Sequence, residues 1–227
     1  MSYYRDLKAI SIENLKEILR DMDMIPSWMI LKENISQRMD SIIKQGVSNL
    51  DELITVLKTK KKVEVFSEIS GMELDYLIVL RRMINGYIPK PNKFSDSPLF
   101  SQELISKLPY VTSKSLYDLI ITSEQRKNLS KETGIPIEDI LLLSKYSDVS
   151  RIRWVNHTFA TVLLFTGFDT VETIANADYN TMYETIKSWN EKEKYYKAHI
   201  GKNDMKLLVD LAKELDFDIQ FKGGSDE

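Results

Sequence analysis

Asn34-Ile35-Ser36-Gln37-Arg38-Met39-Asp40-Ser41-Ile42-Ile43-Lys44-Gln45-Gly46-Val47-Ser48-Asn49-Leu50 decides the fold, because the segment from Val155 to Val171 repeats its pattern with Gly46 opposite Gly167. At that constant offset Met39, Ile42, Ile43, Val47, Leu50 and Leu53 meet Ala160, Leu163, Leu164, Phe168, Val171 and Ile174. Each copy reads as a helix with an apolar pair, then a glycine free to turn left-handed beyond the helix end. An apolar residue and a polar cap follow, and the cap opens another helix. The expected caps are Ser48 and Asp169, which stand three residues before Asp51 and Glu172 at the spacing of a capping box.

Outward from this stretch, apolar residues recur at helical spacing almost throughout, as in Ile12, Leu15, Ile18, Leu19 and Met22. Ser11 is placed to cap that first helix, and Pro26 prevents it from running much beyond Met24. A second repeat appears when a three-residue gap is allowed. Leu50-Asp51-Glu52-Leu53-Ile54 pairs with Leu116-Tyr117-Asp118-Leu119-Ile120, and Phe66-Ser67-Glu68-Ile69-Ser70-Gly71-Met72 pairs with Leu129-Ser130-Lys131-Glu132-Thr133-Gly134-Ile135. The helices after these turns share apolar rows, Leu74, Leu77, Ile78 and Leu80 against Ile137, Ile140, Leu141 and Leu143. Further helices are expected from about Tyr179 to Tyr196 and from about Asn203 to Leu215. The predicted fold is all-α, two related bundles of short helices with helix-hairpin-helix-like repeats.

Gly86, Pro89, Pro91 and Pro98 mark residues 85–99 as a linker between an N-terminal bundle, 1–84, and a C-terminal bundle, 100–222, with 223–227 as a flexible tail. The halves differ in charge, with 15 basic and 14 acidic residues in 1–100 against 16 and 20 in 101–227.

Composition narrows the chemistry. The 227 residues are 43% hydrophobic and 29% charged, an ordinary globular balance, with a net charge of −3 that argues against a general polyanion binder. Having no cysteine, the chain has no thiol catalysis, redox switch or thiolate zinc site. The opening residues Met1 to Lys8 lack the apolar core of a signal peptide, and no stretch approaches the ~18 apolar residues of a spanning helix. The expectation is a cytoplasmic protein with no membrane contact.

Leu129-Ser-Lys-Glu-Thr-Gly-Ile135, Tyr146-Ser-Asp-Val-Ser-Arg-Ile152, Gly167-Phe-Asp-Thr-Val-Glu-Thr-Ile-Ala-Asn-Ala-Asp178 and Ile200-Gly-Lys-Asn-Asp-Met-Lys206 carry a resemblance. Over residues 129–211 the chain resembles a bacterial domain-of-unknown-function family related to helix-hairpin-helix modules. The resemblance implies a compact helical fold and no particular reaction, cofactor or substrate. Helix-hairpin-helix modules grip nucleic-acid backbone through an apolar-x-Gly-apolar-Gly turn whose bare amides approach a phosphate. Here the corresponding turn is Ile152-Arg153-Trp154-Val155-Asn156, with Trp154 and Asn156 standing where glycines are required. Asn156 is the residue suited to the left-handed conformation. The counterparts Leu31-Lys32-Glu33-Asn34-Ile35 and Leu108-Pro109-Tyr110-Val111-Thr112 also lack both glycines.

Two functional readings follow. The leading one is a non-catalytic interaction or scaffold protein that docks a protein partner, or a second copy, through hairpin turns and apolar grooves. Trp154, Asn156 and His157 are its candidate contacts. The alternative is sequence-independent DNA binding through Lys58, Lys60, Lys61, Lys62, Arg151 and Arg153, which supply phosphate contacts unless the lysines are a solvated face and the arginines pair with Asp148 or other acids. His157 and His199 lie over forty residues apart without metal-ligand spacing, and no nucleophile motif, HExxH, P-loop or GxGxxG occurs. No enzyme activity, cofactor, metal or small-molecule substrate is therefore expected.

Overall fold

Ser11 opens the first helix by accepting the Asn14 amide at 3.1 Å, and the row Ile12, Leu15 and Leu19 is then fully buried. The computed structural model describes residues 3–22, 24 and 26–221. Among them the regular elements are all helices, and none is long and apolar enough to cross a membrane. The segment 223–227, expected as a tail, lies outside the described residues.

The chain divides into two units, Asp6–Ile88 and the discontinuous pair Met1–Arg5 with Pro89–Glu227. The first unit holds α1 (Ile12–Asp21), a 3-10 turn (Pro26–Lys32), α2 (Ile35–Lys44), α3 (Leu50–Val56), α4 (Lys60–Ser70) and α5 (Leu74–Asn85). Its core closes Leu31, Met39, Ile42, Leu53, Leu77 and Leu80 to solvent together with the rings of Trp28, Phe66, Tyr76 and Tyr87. The second unit holds a 3-10 turn (Phe94–Asp96), α6 (Gln102–Lys107), α7 (Ser113–Tyr117), α8 (Ser123–Thr133), α9 (Ile137–Val149), α10 (His157–Phe165), α11 (Val171–Ala175), α12 (Tyr179–Glu193) and α13 (Lys202–Lys213). Its core mixes aliphatics with the packed rings of Phe94, Phe100 and Tyr146. Lys194, left-handed at φ 51°, stops α12 short of the predicted Tyr196.

The paired turns are alike in detail. Gly46 and Gly167 both sit at φ +81°, and a Cβ built on either meets nothing within 4 Å. The backbone angle rather than crowding therefore selects glycine. The caps that follow stand one residue later than expected. Asn49 accepts the Glu52 amide and Thr170 accepts the Thr173 amide, because the cap is the last extended residue before the helix. Ser48 instead donates its N–H and its hydroxyl to the Glu52 carboxylate, while Asp169 pairs with Lys145.

The three-residue gap also disappears. Asn49 and Thr112, Thr59 and Thr122, and Gly71 and Gly134 play matching roles at one constant spacing, which places Leu53 and Leu57 with Leu116 and Ile120. The side-chain bonds of the second turn recur as well. Ser67 and Ser130 donate to the carbonyls of Met72 and Ile135 at 2.6 Å, and Ser70 and Thr133 donate to those of Phe66 and Leu129. The ungapped pairing sets buried Leu50 against buried Ser113 and buried Val63 against buried Arg126. Both exchanges occur where the second unit takes in an additional chain segment. Ser113 shares a hydrogen bond with the Tyr3 hydroxyl at 2.7 Å and accepts the Asn92 amide at 3.1 Å, and Arg126 donates to the carbonyls of Ile120 and Gln220.

The stretch 85–99, expected as a linker, is correspondingly part of the second unit from Pro89 onward. Phe94 is 1% exposed, the Phe94 amide donates to the Val111 carbonyl, and the Ser113 amide donates to that of Asn92. The prolines here fix a path that brings Asn92 beside α7 instead of loosening the chain.

Candidate functional site

The turn between α9 and α10 is pinned on both sides by Ile152 and Val155, which are buried, and it closes with the Val155 amide donating to the Ile152 carbonyl at 3.2 Å. Reversing the chain between two anchored residues forces the left-handed conformation on Trp154 itself, at φ +67°. The expectation that Asn156 would turn left-handed is overturned. Asn156 is extended at φ −81° and caps α10, its side chain accepting the Phe159 amide at 2.9 Å. His157 is the first residue of α10, partly buried, and its carbonyl accepts the Thr161 hydroxyl.

Trp154 remains 46% exposed and borders a groove of about 240 Å³. Val155, Phe159, Met205, Leu208 and Leu211 supply the apolar lining, and Tyr196 stands 5.3 Å from Phe159 ring to ring. Asp204 and Arg153, the charged groups that line the groove beside His199, are engaged internally. Asp204 accepts the Gly201 amide at 2.8 Å and thereby fixes the start of α13, and Arg153 pairs with Glu214 at 2.7 Å with its guanidinium 5.7 Å from the Trp154 ring. The surface that results is a recess of mixed lining, apolar side chains beside Arg153, His199 and Asp204, with an indole on its edge.

The two arginines proposed as phosphate contacts are not at the surface. Arg151 is 3% exposed and Arg153 6%, because each neutralises a carboxylate inside the second unit. Arg151 donates to Asp148 at 3.0 Å, to Asp218 at 3.3 Å and to the Tyr3 carbonyl, and its guanidinium lies over the Tyr117 ring. Asp148 explains why it is needed. Its other oxygen accepts the Val171 amide at 2.8 Å, the first amide of α11, whereas the first amides of α3 and α7 are satisfied by the carbonyls of Ile10 and Asn92. A side chain has replaced a backbone acceptor, and burying it requires a counter-charge. Burial still pushes Asp148 up to about 6, against the lowering effects of Arg151 and the Val171 amide. Desolvation also raises Tyr117, whose hydroxyl donates to Asp218 at 2.7 Å.

Lys58, Lys60, Lys61 and Lys62 are exposed and belong to the other unit, so they share no unit with Arg151 and Arg153. Lys62 reaches back to the Thr55 carbonyl at 3.0 Å, and Lys60, Lys61 and Lys62 form the first turn of α4. Among the described residues no three His, Asp or Glu side chains are arranged to hold a metal ion.

Residues beyond Tyr196 complete the groove, and sequence reading did not connect them with Trp154. Their one local signal was Gly201 with Asp204 three residues on, an arrangement that fixes a helix start. Asp148 and Arg151, at helical i,i+3 spacing, were visible as a pair.

The fold and this groove define an all-α protein with a Trp-edged recess on its second unit. Residues 100–215 match the family described as a domain of unknown function (DUF4332), and the chain belongs to that family. No curated protein and no solved structure matches it.

Proposed function

We propose that the chain is a non-catalytic interaction module that docks a protein partner through the Trp154 groove. The observation supporting this reading is Trp154 itself. A bulky ring stands at φ +67°, where glycine is the unstrained choice, and is half exposed beside a recess to which Val155, Phe159, Met205 and Leu208 contribute apolar surface. Backbone strain retained around an exposed aromatic side chain points to use of that side chain, and tryptophan anchors are enriched at binding hot spots. Arg153 and Asp204, the charged groups at the recess, already pair within the chain, which favours a largely apolar side chain of a protein as the guest over a charged ligand.

The nucleic-acid alternative retains Lys58, Lys60, Lys61 and Lys62 but loses Arg151 and Arg153 to internal ion pairs. One experiment separates the readings. Tagged wild-type chain and the Trp154→Ala variant are compared by quantitative co-purification and by sedimentation, and salt-titrated anisotropy is run on duplex DNA. Docking predicts a partner or a self-associated species that the variant loses. A strictly monomeric chain whose co-purifying proteins are unchanged by the substitution, or DNA binding that falls steeply with salt and ignores Trp154, overturns the proposal.

A further inference from the structure

The first unit carries its own groove, of about 400 Å³, between α3 and α4. Val47, Val56 and Phe66 line it, and Val65 and Ile69 stand 48% and 58% exposed at its edge. Two lysines, Lys61 and Lys62, are the charged side chains that line it, and no carboxylate does. Lys61, Val65 and Ile69 are spaced i, i+4, i+8, so one face of α4 presents a cation followed by two aliphatic residues over about 12 Å. The positive end of the α4 dipole coincides with Lys60, Lys61 and Lys62, and no acidic residue occupies that turn to offset it.

We infer that this groove is a docking site for an acidic amphipathic helix of a partner protein. Charge complementarity selects the occupant, since a guest must bring carboxylates to the lysine end and aliphatic side chains to the Val65–Ile69 end. An extended guest has nothing to pair with, because the described residues contain no strand whose edge it could extend. A helix with apolar residues at i, i+3 or i+4, and i+7 matches a two-turn row. Nucleic acid fits poorly, as the lining is aliphatic and its one aromatic, Phe66, is buried and offers no face for stacking. The site is independent of the Trp154 groove, which lies in the other unit.

The test uses the full chain and a fluorescein-labelled helical peptide of about 16 residues, with Leu at i, i+3, i+4 and i+7 and Glu on the flanks, beside a twin carrying Lys for Glu. Short duplex DNA and phosphatidylserine vesicles serve as competitors. The Glu peptide is expected to raise anisotropy saturably and to bind about tenfold or more tightly than its Lys twin. Lys61→Glu should largely abolish that preference, since Lys62 then faces one carboxylate, while leaving the thermal midpoint unchanged or higher, because an acid suits the first turn of α4. Ile69→Ser should weaken both peptides, and Trp154→Ala should change neither, which separates failure here from failure of the Trp154 reading. Absence of peptide binding, equal binding of the twins, or displacement of the Glu peptide by DNA or vesicles overturns the inference.

Discussion

Replacing Trp154 by glycine and, separately, by alanine isolates the backbone contribution of the α9–α10 turn. Both variants lose the indole. It is 46% exposed, so a little over half of a side chain that buries up to about 250 Å² is covered. At ~25 cal/mol/Å² that coverage, about 130 Å², is a loss of about 3 kcal/mol common to both. The variants then diverge. Alanine keeps a Cβ at φ +67°, where an L-residue costs about 1–2 kcal/mol, and glycine does not. Glycine gives back about 0.4–1 kcal/mol through the freer unfolded chain. The net expectation is that W154G is more stable than W154A by about 0.5–1 kcal/mol, or roughly 1–4 °C in Tm for a chain of this size. Urea unfolding followed by far-UV circular dichroism measures the difference, and co-purification measures the docking function, which both variants should lose alike. W154A equalling or exceeding W154G in stability would falsify the claim that the buried neighbours Ile152 and Val155 impose the left-handed turn.

Asp148 supplies a pH test. Its folded pKa of about 6 lies above the ordinary 3.8, so the native state holds the extra proton between those values. Its contribution is present below about pH 4 and is lost as pH rises through 6, amounting to about 2 kcal/mol between pH 4.5 and 7. The stability of the wild type relative to Asp148→Asn should decline by that amount over the interval in urea titrations, and a flat or rising difference contradicts the burial argument. Glu52, Glu103 and Asp178 run the other way, since hydrogen bonds from Ser48, Lys107 and Thr181 hold their carboxyls below the usual range and that contribution is lost as pH falls. Gly134→Ala, at φ +67° in open space, should cost about 1 kcal/mol in thermal unfolding, and a neutral result would mean the turn can relax. Asn156→Ala removes the α10 cap and should cost about 0.5–2 kcal/mol with Asn156→Ser restoring most of it.

Helical spacing made the fold class readable, because an apolar residue every third or fourth position leaves little else to do with Ile12, Leu15 and Leu19. The glycine turns were equally legible, since few residues take φ +81° at low cost. Registers were less so. Leu50 and Val63 align by burial with Ser113 and Arg126, and a reading by apolar identity inserts a gap to avoid that pairing. What makes a serine or an arginine acceptable there is a partner distant in sequence, Tyr3 or Gln220, which no local pattern reveals. The candidate site suffered in the same way. Arg151 and Arg153 look like surface cations until Asp218 and Glu214, over sixty residues away, close on them.

The two-part composition of the second unit has a bearing on biosynthesis. The Arg151 side chain that binds the Tyr3 carbonyl is made 148 positions after it. At ordinary translation speeds that interval is roughly 7 to 30 s. During it the intervening segment Asp6–Ile88, with a core of its own, can fold while Tyr3 still lacks its Arg151 partner. The second unit therefore joins a segment made early to one made late, and cleavage after Arg5 would free the Tyr3 ring from its core and the Tyr3 carbonyl from Arg151.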